Sequence, residues 1–223
     1  MKSNGLLLLS AVCMFLCACT GSSVKTSKHG GFLRTNEFQK FKTLLPIEVD
    51  EINNYHIACQ IYEGLFRFDN ALRIEPALAK DWSLSGDKRT YTFTLRKDVK
   101  FHNDPCFDQG IGRKVTAADV KFCFEQLCTN TSFNRQFAVT FKGRVEGADE
   151  FFAKESSELS GVQILNDSTL QINLLRPDAN FLSVLAMAGC FIYPKEAWLK
   201  YGNEMAVHPV GTGPFTLKRI ENN

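Results

Sequence analysis

Apolar and polar residues alternate most clearly over residues 90–95. Tyr91, Phe93 and Leu95 fall on one side of an extended chain, and three threonines fall on the other. Because successive side chains of a strand point to opposite faces, this alternation predicts a β-strand with one buried face. The sequence Val-Lys-Phe at 99–101 is predicted to pair beside it.

A second alternating stretch predicts a β-hairpin. Residues 162–165 and 169–175 are two strand-like runs joined through Asn-Asp-Ser. Leu170, Ile172 and Leu174 alternate with Gln and Asn, so we expect one buried face and one polar face. Together with the helices below, these strands predict a small mixed sheet with helices packed against it, an α+β arrangement.

Two helices are predicted from apolar residues spaced by three and four positions. Asp50 is predicted to cap the first helix, and Gly64 to end it as a C′ glycine. The second helix is predicted to start at the capping-box sequence Thr116-Ala-Ala-Asp119. The apolar positions are Ile52, Tyr55, Cys59 and Tyr62 in the first helix, and Val120, Cys123, Phe124, Leu127 and Cys128 in the second.

Weaker signals predict the remaining elements. Residues 142–160 are charged and predicted to be loop-rich, and residues 76–82 are predicted to form a connector. Short strands are predicted at 32–38 and 65–68, helices at 180–188 and 195–201, and a last strand after the Gly-Thr-Gly-Pro turn at 211–214.

The N-terminus has the layout of a secretory signal peptide. Lys2 precedes an apolar run over 5–16, which is shorter than the roughly 20 residues that a membrane-spanning helix needs. The following Leu-Cys-Ala-Cys resembles a bacterial lipobox, which implies cleavage after residue 18. Cys19 would then carry a thioether-linked diacylglycerol and an amide-linked acyl chain, palmitate, which together anchor a protein stably. Residues 20–31 are predicted to be a flexible tether.

Composition excludes several classes of protein. Removal of residues 1–18 takes one basic residue of 26, Lys2, and leaves 25 basic against 24 acidic residues, so nothing indicates nucleic-acid binding. A hydrophobic content of 44%, with 19 Phe, is enough for a packed core and excludes general disorder.

The cysteines and histidines form no recognisable metal or catalytic motif. There is no C-x-x-C pair beyond Cys19, no nucleophile elbow and no H-E-x-x-H sequence, so we expect no metal, no cofactor and no enzyme activity. Cys123 and Cys128 are about 140° apart on their helix and are predicted to be core residues. Export permits a disulfide, with the pairing left open. Cys59, Cys106 and Cys190 are the candidates for such a disulfide. His29, His56, His102 and His208 are expected to be solvated or structural histidines, and Asp104 and Asp108 are expected to be solvated turn residues rather than cation ligands.

Four blocks of sequence resemble the extracellular solute-binding proteins of oligopeptide, dipeptide and nickel ABC importers, solute-binding family 5. The first two are Ile-Tyr-Glu-Gly-Leu-Phe-Arg-Phe-Asp at 61–69 and Pro-Ala-Leu-Ala-Lys-Asp-Trp at 76–82. The third joins 90–102 to Val-Thr-Ala-Ala-Asp-Val-Lys-Phe at 115–122, and the fourth is Val-Gly-Thr-Gly-Pro-Phe-Thr-Leu at 210–217.

The resemblance implies a type II periplasmic-binding-protein-like, bilobed fold with a discontinuous N-terminal lobe. Residues 32–50 and 176–223 would belong to lobe I, and 51–175 to an inserted β-rich subdomain. Members of the family are about twice this length, and the second lobe is missing from this sequence, which leaves a fragment or a truncated product as alternatives. The chain would leave for that lobe at Gly211, Gly213 and Pro214.

The resemblance also implies a function. We expect a monomeric binding lipoprotein of the bacterial cell envelope, held to a membrane by Cys19 and facing the periplasm or exterior, which delivers peptides, or less commonly nickel or other small solutes, to an ABC permease. A structural or interaction module without ligand capture is the alternative. The candidate ligand-binding residues, chosen because they should edge the cleft, are Thr35, Asn36, Glu37, Phe38, Met187, Ala188, Gly189 and Cys190.

Overall fold

The predicted strand at 90–95 is an inner strand of a four-stranded sheet. The structure, a computed structural model, describes residues 36, 37 and 39–221. A separate two-stranded sheet pairs β1 with β2, and the larger sheet has the order β3-β4-β6-β5. In chain order, the strands are β1 (Phe66–Phe68), β2 (Ile74–Pro76), β3 (Ala79–Leu84), β4 (Thr90–Leu95), β5 (Val162–Asn166) and β6 (Thr169–Asn173).

Helices and single 3-10 turns connect the strands, and the helix Ala117–Leu127 packs against the larger sheet. The helices at 180–188 and 195–201 are confirmed as short segments, and α3 lies inside the stretch predicted to be loop-rich. The α-helices are α1 (Ile52–Ile61), α2 (Ala117–Leu127), α3 (Ala148–Phe152), α4 (Phe181–Val184) and α5 (Lys195–Tyr201), and the 3-10 turns are Pro46–Glu48, Asp108–Gly110, Phe137–Val139, Ala188–Cys190 and Gly202–Ala206.

Several predictions fall on residues that the structure does not describe. These are the signal sequence, Cys19, the tether, Thr35, Phe38 and most of the predicted strand at 32–38. No helix in the described part of the chain combines the length and apolar character that crossing a membrane requires.

The hairpin and the alternation of β4 are confirmed. Phe93 opposes Leu170 and Tyr91 opposes Ile172, so the apolar residues of β4 and β6 form one continuous buried layer. All pairings in this sheet are antiparallel, and the expected mixed sheet is therefore wrong. Phe93 also packs edge-on against Phe66, which joins the two sheets in one core.

The sequence missed β3 and misplaced its neighbour. Residues 76–82, predicted to be a connector, run from the end of β2 into β3, and β3 takes the place beside β4 that was predicted for 99–101. Lys100 instead bridges to Lys114. The reason is that β3 is an edge strand that is buried only at its first residue, and Trp82 remains 40% exposed, so it lacks the apolar alternation of an inner strand.

Helix α1 forms where it was predicted, but its buried face and both ends differ. Glu51, not Asp50, is the N-cap, and no side chain caps the helix. Ile52 is 67% exposed, whereas Asn53 and Asn54 are buried. These amides are buried because they bond to the backbone of residues 39–42, with Asn53 donating to the Lys40 carbonyl at 3.1 Å and Asn54 accepting from the Lys42 amide at 3.0 Å.

Gly64 does not end α1, which stops at Ile61. Its role is close packing instead, since a Cβ at this position would lie 2.6 Å from the carbonyl oxygen of Leu185. The expected strand after the Gly-Thr-Gly-Pro turn is also absent from the described residues, because the backbone there bonds to the end of α1 rather than to a sheet.

Helix α2 confirms the predicted capping box. Asp119 accepts hydrogen bonds from the amide and hydroxyl of Thr116, both at 2.9 Å. It also binds Arg113, whose guanidinium bonds in turn to Glu196 on α5. The two carboxylates raise the pKa of Arg113, and Arg113 lowers the pKa of Glu196. This network fixes the loop at 102–115 to both helices.

The described cysteines are all free thiols, so no disulfide forms among them. Cys123 and Cys128 are core residues on α2, as predicted, and Cys190 is also buried. Burial raises the pKa of each of these three thiols, which keeps them protonated and unreactive at neutral pH.

Candidate ligand-binding groove

A groove of about 660 Å³ opens at the N-terminal end of α1. Its walls come from the start of α1, the turn after β1, the 3-10 turn Phe137–Val139 and the residues that precede Cys190. This volume lies in the range of small-molecule sites, and its apolar wall with few polar groups is also typical of them. The apolar residues of the wall include Val49, Ile52, Tyr55, Phe68, Leu72 and Val139.

Hydrogen bonds hold the two sides of the groove together. The Arg135 amide donates to the Ile47 carbonyl at 2.8 Å, and the buried Gln136 side chain donates to the Val49 carbonyl. Gly189 packs directly behind Gln136, because a Cβ there would lie 2.5 Å from the Gln136 Cβ. The base of the groove is therefore fixed by residues distant in sequence, which suits a preformed site.

The rim of the groove exposes large apolar side chains. Leu72 is 80% exposed, Ile52 67% and Val139 50%. Leu72 also adopts a left-handed backbone conformation, with φ of 60°, in the turn that Asp69 closes by accepting hydrogen bonds from the amides of Ala71 and Arg73. A leucine is uncommon in this conformation.

The charged groups of the groove differ in whether they have partners. Glu51 pairs with Lys42, and this ion pair raises the pKa of Lys42. Asp50 and Arg135 are both exposed, and neither makes an ion pair with a described residue. The groove therefore offers an unpaired carboxylate and an unpaired guanidinium beside its apolar wall.

A second cavity, of about 390 Å³, shares Tyr55 and Phe68 with the groove and reaches Pro214. Pro214 belongs to the turn at 211–214, which bonds closely to the end of α1. The Gly213 amide donates to the Ile61 carbonyl at 2.8 Å, and the Phe215 amide donates to the Gln60 carbonyl at 3.0 Å.

His102 binds the same turn from the other side. The His102 amide donates to the Gly211 carbonyl at 2.8 Å, and its ring Nε2 lies 2.7 Å from the Gly213 carbonyl oxygen. Because a carbonyl only accepts, Nε2 carries the proton, and Nδ1 accepts the longer bond of 3.4 Å from the Gly211 amide. One imidazole thus contacts both glycines of the turn.

Comparison with known proteins decides the family. The family model described as bacterial extracellular solute-binding proteins, family 5 Middle, matches residues 73–223. The chain belongs to this family. The resemblance seen in the four sequence blocks is thus confirmed, and the described residues form an α+β part of a type II periplasmic-binding-protein fold.

Named relatives of this family-5 chain bind different ligands. It is 34% identical to Heme-binding protein A of Haemophilus influenzae over 97% of the chain and 41% of that protein. It is 34% identical to the dipeptide-binding protein of Escherichia coli over 73% of the chain and 30% of that protein. It is 26% identical to a glutathione-binding protein of Salmonella typhi over 80% of the chain and 30% of that protein. The chain spans less than half the length of these relatives.

Solved structures support the same fold. An oligopeptide ABC transporter substrate-binding domain from Bacillus anthracis matches with a TM-score of 0.72 and 25% identity, over 82% of this chain and 34% of that one. The periplasmic binding protein DppA from Helicobacter pylori, in complex with the peptide STSA, matches with a TM-score of 0.68 and 27% identity. This match covers 81% of this chain and 35% of that one.

The candidate residues of the family-5 chain divide between the groove and the core. Met187 and the buried Ala188 line the groove, whereas Gly189 and Cys190 are buried outside its lining. Asn36 is exposed, and the half-buried Glu37 lies 3.2 Å from Nδ1 of His56 rather than in the groove. Leu72, Arg135 and Val139 of the groove were not predicted, because they lie in loops or a short 3-10 turn without periodicity.

His208 and Asp104 have structural partners. His208 lies 2.9 Å from Asp104 and stacks on Tyr201, whose hydroxyl donates to the same carboxylate at 2.8 Å. Burial raises the pKa of the nearby Cys106 thiol to about 12, so little nucleophilic thiolate forms at neutral pH. No group of three metal-ligating side chains occurs among the described residues. These side chains hold the 102–115 loop against α5.

The clamp on the turn at 211–214 can be tested by changing His102. We expect His102→Ala to lower the free energy of unfolding by about 1 to 2 kcal/mol, because the Gly213 carbonyl loses its donor. His102→Gln keeps a donor and should recover part of this loss. The control is His56→Ala. The His56 ring is exposed, so its removal should not change the unfolding midpoint. Equal midpoints for the His102 and His56 alanine variants, measured by urea denaturation, would contradict the clamp.

Proposed function

We propose that this chain is part of a ligand-capturing protein of an ABC importer, and that peptides bind in the groove at the start of α1. The observation that carries the proposal is the groove itself, with its fixed base, its apolar wall and its exposed rim of Ile52, Leu72 and Val139. Apolar walls bind side chains of a ligand, while a few polar groups fix its orientation. The peptide and glutathione relatives named above support this ligand class.

The proposed layout assigns residues 32–50 and 176–223 to lobe I and residues 51–175 to an inserted subdomain. Gly211, Gly213 and Pro214 would mark the point where the chain leaves for a second lobe. In such a protein the ligand is buried between two lobes that close around a hinge, so ligand binding shifts an open-closed equilibrium. The second cavity, which shares Tyr55 and Phe68 with the groove and is also lined by Pro214, supports this position for the hinge.

We also propose that Cys19 carries lipid and holds a monomeric protein at a membrane of the cell envelope, close to its permease. Replacing Cys19 with serine should move the protein from the membrane fraction to the soluble envelope fraction. Cys17→Ser is the matched control. Cys17 lies in the same stretch of sequence, but it lacks the leucine three positions before it and the alanine directly before it that Cys19 has. A Cys19→Ser variant that stays in the membrane fraction would contradict the assignment.

A second ligand class has one specific observation in its favour. The Haemophilus influenzae protein named for heme binding is 34% identical and matches over 97% of this chain, more than the dipeptide-binding relative matches. Heme is also largely apolar and would bury the exposed rim. Hemin therefore belongs in the same binding experiment.

The test is ligand-dependent thermal unfolding of the full-length protein with dialanine, trialanine, reduced glutathione and hemin. A ligand at a hundredfold excess over its Kd should raise the free energy of unfolding by about 2.7 kcal/mol. Val139→Asp, which places a charge on the groove rim, should abolish the effect. Leu199→Asp is the control, because Leu199 is 72% exposed and lies outside the groove.

Two results would contradict this proposal. Stabilisation by none of the four compounds would favour the structural or interaction module, the alternative without ligand capture. Stabilisation that Val139→Asp and Leu199→Asp leave equally intact would place the binding site away from the groove.

A further inference from the structure

We propose that Asp81 prevents the free edge of β3 from pairing with β3 of a second copy of this chain. The edge is an interaction surface whose matching partner is an identical strand, and the Asp81 carboxylate occupies a backbone group that this pairing requires. The inference goes beyond the proposed function, because it concerns association of the protein and is independent of the ligand that the groove binds.

The first argument is that β3 has backbone groups that point away from the sheet. It is the edge strand of the four-stranded sheet, next to β4. The Ser85 amide donates to the Thr90 carbonyl at 2.9 Å. Because the backbone bonds of an antiparallel pair alternate along the strand, Ser83 bonds to β4 as well. By the same alternation, the amides and carbonyls of Trp82 and Leu84 point away from β4.

The second argument is that the same two residues expose apolar side chains. Trp82 opposes Phe93 and Leu84 opposes Tyr91, so both point to the side of the sheet that carries the buried layer. Trp82 is nevertheless 40% exposed and Leu84 37%, whereas Phe93 and Tyr91 are buried. Free backbone groups beside exposed apolar side chains are typical of an edge that can add another strand.

The third argument is that β3 is complementary to itself. If two copies pair antiparallel about Ser83, Trp82 of each copy lies opposite Leu84 of the other. Both residues have outward-pointing backbone groups, so each such pair would exchange two backbone hydrogen bonds. The Trp82 indole would also cover the exposed Leu84 side chain of the second copy. A second copy therefore satisfies both the backbone and the side chains of this edge.

Asp81 occupies the backbone group that this pairing requires. Its Oδ1 atom accepts a hydrogen bond from the Trp82 amide at 2.8 Å. A charged acceptor makes a stronger bond than a neutral one, and pairing would have to break this bond in both copies. The pairing register with β4 also shifts between Ala79 and Asp81, which places a bulge at Lys80. Charged side chains and bulges are the features by which edge strands avoid pairing with other chains.

The experiment measures the mass of the full-length protein by sedimentation equilibrium in a density-matched detergent, over a range of protein concentrations. We expect the wild-type protein to be monomeric. Asp81→Ala should lower the dissociation constant of a dimer at least roughly 10-fold, because the Trp82 amide is released. Asp81→Asn keeps a side-chain oxygen that accepts this bond and should behave like the wild-type protein.

Asp98→Ala is the matched control for the loss of charge. Asp98 is 71% exposed and lines the same concave surface as Ala79 and Lys80 at the start of β3. Its replacement removes one negative charge close to the edge and leaves the bond from Trp82 to Asp81 in place. We expect this variant to be monomeric.

A second variant tests whether the edge itself is the interface. Leu84→Pro in the Asp81→Ala background removes the outward-pointing amide of Leu84 and should restore the monomer. Proline is tolerated in an edge strand where the amide does not bond to the neighbouring strand, so β3 should stay paired with β4. Circular dichroism checks that the double variant keeps the fold.

Four results would overturn the inference. A dimeric wild-type protein would do so, as would an Asp81→Ala variant that is as monomeric as Asp98→Ala. A dimer of Asp81→Ala that Leu84→Pro leaves intact would place the interface elsewhere. Dimerisation of Asp81→Asn as strong as that of Asp81→Ala would mean that the charge, and not the hydrogen bond, is the cause. None of these results bears on capture of a ligand in the groove.

Discussion

Replacing Gly211 with alanine is expected to lower the free energy of unfolding by about 3 kcal/mol or more. A Cβ at this position would lie 2.1 Å from the Ile61 carbonyl oxygen and 2.9 Å from the Tyr62 ring. The turn would have to move away from α1, and it would then lose the bonds from Gly213 to Ile61 and from His102 to Gly211. Thermal and urea unfolding measure the effect.

Gly86→Ala is the matched control, because a Cβ at Gly86 would meet nothing within 4 Å. This variant should unfold at the temperature of the wild-type protein, whereas Gly211→Ala should unfold roughly 6 to 12 °C lower for a protein of this size. Equal melting temperatures for the two variants would show that the turn at 211–214 does not pack closely on α1.

Replacing Asp119 with alanine is expected to destabilise the protein by about 2 to 4 kcal/mol. Asp119 is 3% exposed and accepts four hydrogen bonds, two from Thr116 and two from Arg113. Its loss removes the cap of α2 and leaves Glu196 as the remaining carboxylate partner of Arg113. Urea denaturation, followed by circular dichroism, measures the change.

Asp98→Ala provides the control for this prediction. Asp98 also pairs with an arginine, Arg96 at 2.9 Å, but its side chain is 71% exposed, and exposed ion pairs contribute little to stability. We expect the Asp98 variant to match the wild-type protein within the error of the measurement. A loss of stability in the Asp98 variant as large as that in Asp119→Ala would mean that removal of charge, and not of the cap, is the cause.

The sequence predicted the elements whose signals are local. Strands β4 and β6 are specified by neighbouring residues whose burial alternates, and the capping box of α2 is specified by four consecutive residues. Edge strand β3 was missed because it has little buried surface and therefore little alternation. The face of α1 was wrong because Asn53 and Asn54 are buried through bonds to residues about a dozen positions earlier in the chain, which no helical pattern reveals.

The groove could be predicted only in part. Resemblance to the family placed Met187 and Ala188 at the cleft, and both residues line the groove. Arg135, Val139 and Leu72 were not predicted, because each is exposed in a loop or short 3-10 turn and is brought to the groove only by the folding of the chain. An exposed leucine or an unpaired arginine is visible only when the contacts of the folded chain are known.

The turn at 211–214 has a consequence for the order in which the protein folds. Thr212 donates to Glu63, which follows α1, across 149 positions of sequence. Gly213 and Phe215 bond to the end of α1 itself. During synthesis, α1 emerges from the ribosome long before these partners exist. Contacts between such distant residues also form slowly, because a long loop must close first. We therefore expect the nascent chain to remain incompletely folded until this turn has been made, which is compatible with export of an unfolded chain.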